Sequence, residues 1–236
     1  MKRLFSAIAL GIAALVLVGL SGSKAYADGV VFVGTNQIRP DGVGIRTVLS
    51  LSSPGNTRDE AGGILWTGHH DQTFGDVYRG GTNNTVSLAD LGVTQGNTAL
   101  RIGLNVNDPH GGLGSDPIVL QSLTLKAYDQ AGNLVFSASL INGPYTLPLV
   151  GSGQGTADYL FMLDPEAAAR LAALYDPNLR IGLEASITNS HGGPESFYLA
   201  AGPQAPVPEP ATMLLLGTGL AGLAAKMRKR RRASKE

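Results

Sequence analysis

The sequence predicts a mainly β protein, and three observations support that prediction. Short apolar or alternating segments recur between turn residues through the middle of the 236-residue chain. The 32 glycines are spread among these turns and form no collagen or linker repeat. One segment alone has a helical pattern. Together these features predict an antiparallel β-sandwich of the jelly-roll or immunoglobulin-like kind, with one short crossover helix.

Eight segments are predicted as strands because they are short and apolar, or alternate apolar and polar residues with a period of two. They are residues 30–33, 47–51, 99–106, 118–128, 134–140, 159–163, 179–187 and 197–200. Between the fourth and fifth, residues 129–133 (DQAGN) predict a hairpin turn in which Gly132 can adopt a positive φ.

The predicted helix follows the sixth strand. Asp164 is a good N-cap, Pro165 suits the first helical position, and Glu166 places an acid in the first turn. The Ala/Leu-rich run continues to Tyr175, and Asp176-Pro177 ends it. Its face made of Leu171, Leu174 and Tyr175 is expected to pack on the sheets, with no chemical role.

The N-terminus predicts export. Met1-Lys2-Arg3 is a charged segment, residues 4–20 are apolar, and Ala25-Tyr26-Ala27 is an A-x-A cleavage site. We expect translocation through the Sec machinery and cleavage by signal peptidase before Asp28. A retained N-terminal membrane helix is the alternative, which the clean cleavage site disfavours. Since the chain has no cysteine, the exported domain has no disulfides and must be stabilised by its hydrophobic core.

The C-terminus contains three distinct units in order. Val207-Pro208-Glu209-Pro210 is extended by its prolines, and residues 211–225 form an apolar run. A basic group follows and would stay cytoplasmic under the positive-inside rule. Its members are Lys226, Arg228, Lys229, Arg230, Arg231 and Arg232. As a helix the run would be roughly 22 Å long, shorter than a bilayer core of roughly 30 Å. This short length suits a disposable signal better than a plain membrane anchor, which is the alternative.

This tail resembles the PEP-CTERM sorting signal of Gram-negative bacteria, which is also labelled an ice-binding protein C-terminal domain. The resemblance rests on Pro208-Glu209-Pro210, the apolar run and the basic cluster, in that order. It implies that exosortase, a membrane-embedded peptidase, recognises Pro-Glu-Pro and removes the helix and basic tail. The expected route is transient residence in the inner membrane, followed by the cell envelope, cell surface or extracellular matrix.

These signals divide the chain into a signal peptide (1–27), a β-sandwich domain (28–205) and a sorting signal (206–236). Of 18 basic residues, three lie in the signal peptide and seven in the tail. Eight therefore remain in residues 28–207, against sixteen acidic residues, so the body of the protein is acidic although the whole chain is neutral. This charge argues against nucleic-acid binding and is compatible with cation binding or a hydrated matrix.

A loose repeat runs through the body. Residues 100–104 (LRIGL) recur as 179–183, and His110-Gly111-Gly112 recurs as His191-Gly192-Gly193. One interpretation is two core strands that enter Gly-rich loops at the same end of the fold. The other is that His110 and His191 line one shared site.

Two groups of residues are candidate binding sites. Asn105, Asn107, Asp108 and Asp116 offer hard oxygen ligands suited to Ca²⁺, the one cofactor we consider, although Asn/Asp/Gly loops are also ordinary turns. Trp66 and Tyr78 could form an aromatic platform for a sugar, with core packing of Trp66 as the alternative. Between them, His69, His70, Asp71 and Asp76 are weak candidates for a metal site.

Catalysis has little support in the sequence. The body has no cysteine nucleophile and no G-x-S-x-G motif. Glu60, Glu184 and Glu195 are the candidates for a carboxylate pair acting on glycosides, since such pairs leave no local motif. We therefore expect a non-enzymatic matrix protein or a weak carbohydrate-binding module, and an envelope hydrolase acting on polysaccharide is the alternative.

Overall fold

Within the residues that the structure describes, twelve strands and one helix form the domain. The computed structural model describes residues 29–38, 45–53, 57–107, 117–148, 157–190 and 193–202. The helix α1 spans Pro165–Ala173. The strands are β1 (Gly29–Ile38), β2 (Arg46–Leu51), β3 (Glu60–Trp66), β4 (Asp71–Gly75), β5 (Val86–Ser87), β6 (Leu100–Asn105), β7 (Ile118–Tyr128), β8 (Leu134–Leu140), β9 (Tyr145–Leu147), β10 (Ala157–Leu163), β11 (Arg180–Thr188) and β12 (Glu195–Ala201).

All twelve strands belong to one hydrogen-bonded sheet. Its main path runs β2-β12-β6-β10-β1-β8-β7-β11-β3-β4, while β5 pairs with β11 and β9 pairs with β7. Neighbouring strands are antiparallel, apart from β1 and β8, which run parallel through Gly29↔Ser139 and Val30↔Leu140. β1, the first of the described strands along the chain, lies in the middle of this path.

The sheet curls until its two edges meet. Beyond Gly75, the chain leaves β3 and pairs with β2 on the opposite edge, where Val77 forms a bridge with Leu51. The Ser52 amide donates to the Asp76 carbonyl and the Tyr78 amide donates to the Ser50 carbonyl, each at 2.9 Å. We call this contact between residues 50–52 and 76–78 the seam. The prediction of a mainly β fold is confirmed, but the hydrogen bonding is that of one curled sheet rather than of two separate, wholly antiparallel ones.

The core fills the inside of the curl. Alternate residues of β6 point inward, so Leu100, Ile102 and Leu104 are completely buried. An aromatic group packs there, with ring centroids 5.0 Å apart for Phe32 and Tyr145. On the outer face, Leu160 and Tyr198 form a smaller buried cluster. Burial on this scale lets a cysteine-free domain hold together through its apolar core.

The predicted elements are present, with small differences. Each of the eight predicted strands exists, and the turn at 129–133 forms with Gly132 at a φ of 87°. The strands β3, β4, β5 and β9 were missed, because their glycine-rich, polar or two-to-three-residue sequences resemble loops. Helix α1 is capped by Asp164 as predicted but ends at Ala173, so Leu174 is exposed rather than packed on the sheet.

The predicted signal peptide and sorting signal lie outside the described residues. Among the residues that are described, no helix is both long enough and apolar enough to cross a membrane.

Candidate functional site

Trp66 lies at the end of β3 and is held by polar neighbours. The Arg180 guanidinium carbon is 4.8 Å from the indole centroid, and the indole N–H donates to the Gln130 carbonyl at 3.4 Å. Arg180 is itself fixed, because it donates to the Thr85 hydroxyl at 2.9 Å and approaches Asp71 at 3.5 Å. One face of the indole is therefore covered by a cation.

A small cleft of about 400 Å³ opens beside this stack. Its lining comprises Trp66, Gly68, Ser87, Gln130, Asn178 and Arg180. The Ser87 hydroxyl also donates to the Asp90 carboxylate at 2.7 Å, and this hydrogen bond holds the pKa of Asp90 below its ordinary value. The cleft offers mainly polar atoms and only part of one aromatic ring.

Tyr78 lies far from Trp66. Trp66 pairs with Asp71 at one end of the β3–β4 hairpin, whereas Gly75 pairs with Gly62 at the other end, and Tyr78 follows Gly75. The structure therefore does not bring the two predicted sugar-contacting aromatics together.

A larger cleft runs along β4, and we call it the β4 cleft. It encloses about 690 Å³ and is lined by Thr73, Phe74, Gly75, Val77, Arg79, Gly81, Thr82, Asn83 and Asn84. Phe74 is 41% exposed, and its ring lies against Gly63, where a Cβ atom would be 2.7 Å from the ring. Asn83 fixes the wall by accepting from the Ser50 amide and donating to the Tyr78 carbonyl, each at 2.8 Å.

The β4 cleft combines an exposed aromatic ring with amide, hydroxyl and guanidinium groups. Arg79 and Asn84 are exposed, and Tyr78 stands next to the lining residues. Phe74 was not among the residues predicted from the sequence. The available signal was a single aromatic residue in an otherwise polar segment, DQTFG, where a core strand would show several apolar residues.

The two adjacent histidines do not gather a metal site. His69 and His70 are exposed in the β3–β4 turn, where the Thr67 hydroxyl donates to the His70 carbonyl at 2.9 Å. Asp71 faces Arg180, and Asp76 lies beyond the far end of β4, accepting from the Ala61 amide at 3.0 Å. Within the part of the chain that the structure describes, no group of three or more His, Asp or Glu could hold a metal ion.

The predicted calcium residues are only partly described. Asn105 is buried at the end of β6, beside Ser196 of β12, while the Asn107 carbonyl accepts from the Gly193 amide at 3.1 Å. Asp108 and Asp116 lie outside the described residues, so the loop site stays a prediction.

The two copies of the repeat occupy β6 and β11, and the segments that follow them meet. Besides the Asn107–Gly193 contact, the Asn189 side chain donates to the Pro117 carbonyl at 2.8 Å. This agrees with the interpretation of two core strands that end at the same end of the fold. His110 and His191 lie outside the described residues, so a site shared by the two stays a hypothesis.

Of the three candidate carboxylates, Glu184 stands apart. It forms an ion pair with Lys126 on the outer face of the sheet, where its side chain is 41% exposed. Burial raises the pKa of the nearby Tyr128 phenol, and the Glu184 charge adds to the rise.

Glu60 and Glu195, in contrast, are brought together; we call them the carboxylate pair. The Ser190 hydroxyl oxygen is 3.0 Å from Glu60 Oε1 and 3.2 Å from Glu195 Oε1. Glu60 begins β3 and Glu195 begins β12, and they are 1% and 0% exposed. The pair therefore lies inside the molecule, and neither residue borders the two clefts described above.

Comparison with known proteins identifies the tail. A family model of the PEP-CTERM protein-sorting motif matches residues 206–231. The match includes Pro208-Glu209-Pro210 and most of the basic group, while Arg232 lies one residue beyond it. The predicted resemblance is confirmed, and the chain carries the signal of an exosortase-targeted surface protein that is exported to the envelope of a Gram-negative bacterium. No curated protein and no solved structure matches the chain.

Proposed function

We propose that this protein is a non-enzymatic component of the cell envelope or exopolysaccharide matrix that binds carbohydrate weakly. The observation that carries the proposal is the sorting motif at residues 206–231, since it directs the β domain to the cell surface. Export through the Sec machinery, removal of the signal peptide and release of the tail by exosortase complete the proposed route. The acidic body supports solubility in a hydrated matrix.

The proposed binding surface is the β4 cleft. A sugar ring has an apolar C–H face and a rim of hydroxyl groups, so it suits a site with one exposed aromatic ring and several planar polar groups. Phe74 supplies the ring, and Arg79 and Asn84 supply exposed donors at the same cleft. Trp66 is a weaker candidate because Arg180 covers one face of its indole.

Binding of the secreted protein to a glycan array and to purified exopolysaccharide tests this surface. Replacement of Phe74 by alanine removes the stacking face, and we expect about a tenfold loss of affinity, the equivalent of about 1.4 kcal/mol. Val33→Ala is the matched control, because Val33 is an exposed apolar residue on β1 and does not line the cleft.

Equal binding by the wild type and Phe74→Ala would refute the β4 cleft as the sugar site. Absence of binding to any glycan would leave a purely structural matrix role as the function.

The alternative function is a polysaccharide hydrolase, and the carboxylate pair is the observation that favours it. Glycosidases use two carboxyl groups that flank the scissile bond within a cleft. Glu60 and Glu195 are close together, but at 1% and 0% exposure they offer no surface on which a polysaccharide could bind. We therefore expect no release of reducing sugars by the wild type, and measurable release that disappears in Glu60→Gln would favour the hydrolase.

A further inference from the structure

The carboxylate pair is an unusual feature for the interior of a β domain. Glu60 faces inward from β3 and Glu195 faces inward from β12, between core residues such as Ile187 and Phe197. Burial of a carboxylate is costly unless its charge is compensated. The pair therefore requires a compensating group.

Hydrogen bonds from the protein compensate the Glu60 carboxylate only in part. Glu60 Oε1 accepts from the Ser53 amide at 2.8 Å and lies 3.0 Å from the Ser190 hydroxyl oxygen. That hydroxyl also lies 3.2 Å from Glu195 Oε1, yet it has a single proton. Ser190 can therefore donate its proton to only one of the two carboxylates at a time.

The second oxygen of Glu60 has no hydrogen-bond partner. Glu60 Oε2 is buried and unpaired, and no described lysine or arginine forms an ion pair with Glu60. An orphaned anionic oxygen in the interior points to a positively charged ligand next to it.

We propose that the carboxylate pair is a structural binding site for a divalent cation of the Ca²⁺ class. Glu60 and Glu195 supply carboxylate oxygens from two strands, and the Ser190 hydroxyl supplies a neutral oxygen between them. Oxygen-only ligands without histidine or cysteine favour a hard cation, and Ca²⁺ takes about six to eight oxygens, so backbone carbonyls and water complete its shell.

This site is distinct from the calcium loop predicted from the sequence, because it uses none of that loop's residues. Its role follows from the topology. Along the sheet, six strands lie between β12 and β3. Across the closure of the curl, the two strands are near each other, because β2 and the end of β4 meet at the seam. A cation held by both would link the two strands inside the curl, close to the point where the sheet closes.

Thermal unfolding of the purified full chain in mild detergent tests the proposal. The melting temperature is measured with EGTA and then with CaCl₂ in steps up to millimolar concentration. A ligand bound only by the native state raises stability by mass action. We expect a rise of about 5–10 °C at a hundredfold excess over Kd, and isothermal titration calorimetry should give one Ca²⁺ per chain.

Glu60→Gln and Glu195→Gln provide a readout that a buried carboxylate pair without a bound cation would not give. Each keeps the size and one carbonyl oxygen of the side chain while removing the charge. With EGTA we expect both variants to melt at or above the wild-type temperature, because the repulsion between two buried anions is relieved. With Ca²⁺ they should melt below the wild type and show no calcium response.

Glu184→Gln is the matched control, since Glu184 is a strand glutamate outside the pair, and it should keep the full calcium response. The calorimetry of the wild type does not depend on the folding of any variant. No calcium-dependent rise and no binding heat would overturn the proposal, as would a calcium response that persists in both glutamine variants.

Discussion

At the residue scale, Asp164 shows how one buried side chain can join distant parts of the chain. Its Oδ1 accepts from the Ala167 amide at 2.7 Å and caps α1, while its Oδ2 accepts from the Gly29 amide at 2.9 Å at the start of β1. The cap was predictable, because Asp-Pro-Glu before an Ala/Leu run is a local signal. The bond to Gly29 was not, since it depends on the tertiary fold.

Replacement of Asp164 by alanine should destabilise the domain by about 2–4 kcal/mol. Loss of the cap costs about 1 kcal/mol, and the Gly29 amide is left buried without an acceptor at a further cost of about 1–3 kcal/mol. Asp164→Asn retains one carbonyl oxygen and should lie between alanine and the wild type. Urea unfolding measures all three proteins.

Glu166→Gln is the control for this series, because Glu166 lies exposed in the same helical turn. Its effect should stay within about 0.5 kcal/mol. An equal loss in Glu166→Gln and Asp164→Ala would mean that helix charge, and not the two hydrogen bonds, accounts for the effect.

At the element scale, the seam depends on the end of β4. Gly75 has a φ of 73°, and a Cβ atom there would lie 2.0 Å from the Ala61 carbonyl oxygen. This conformation lets the chain leave β3 and pair with β2. Only glycine combines the positive φ with the close backbone approach.

Gly75→Ala should therefore weaken the closure of the sheet. We expect a loss of about 2–4 kcal/mol in the free energy of unfolding, from backbone strain and steric overlap. In Gly75→Ala, the Ser52 and Tyr78 amides should exchange hydrogen faster than in the wild type, because they belong to the seam. The exchange of the β7 amides should change less.

Gly96→Ala is the matched control, because a Cβ atom at Gly96 meets nothing within 4 Å. It should be neutral or stabilise the protein by less than about 1 kcal/mol. If Gly75→Ala behaves like Gly96→Ala, the seam does not depend on the glycine conformation.

The strand β3 shows why an element can be missed in the sequence. β3 contains Gly62 and Gly63, which look like turn residues, yet their Cβ atoms would lie 2.6 Å from the Phe74 carbonyl oxygen and 2.8 Å from that of Leu183. Glycine is needed there because neighbouring backbones approach closely. By contrast, β7 and β11 alternate clearly over nine or more residues and were predicted almost to their ends.

The candidate sites were less predictable than the strands. The positions between residues 66 and 78 gave no sign of β4 in the sequence, and a shared platform was therefore predicted. The strand instead carries Trp66 and Tyr78 to opposite ends of a hairpin. Glu60 and Glu195 were among the candidate carboxylates, but their contact through Ser190 required the register of three strands. In both cases the sequence indicated which residue types could bind a ligand, but not which of them lie close together.

At the scale of the whole molecule, the sorting motif decides where the acidic domain acts. Intact-mass measurement of the protein secreted by a host with exosortase should find a product that starts at Asp28 and ends near Pro208. Replacement of Pro208 by alanine disrupts the Pro-Glu-Pro element, and we expect the full tail through Glu236 to be retained on the membrane.

Pro203→Ala is the control for this experiment, because Pro203 precedes the matched residues 206–231. Its product should have the mass expected of normal processing. A wild-type product that still contains Glu236 would contradict processing by exosortase and would favour a permanent membrane anchor.

The central position of β1 also sets an order of events in time. β1 is synthesised before the other described strands. Asp164, which accepts from the first amide of β1, is 135 positions further along the chain. The residues of β8 and β10 that pair with β1 also come more than a hundred positions later. Such distant pairing is slow, because a long loop must close before any contact forms. The sheet therefore cannot close around β1 until the second half of the domain is present, so this strand stays without its native neighbours while the rest of the chain is made.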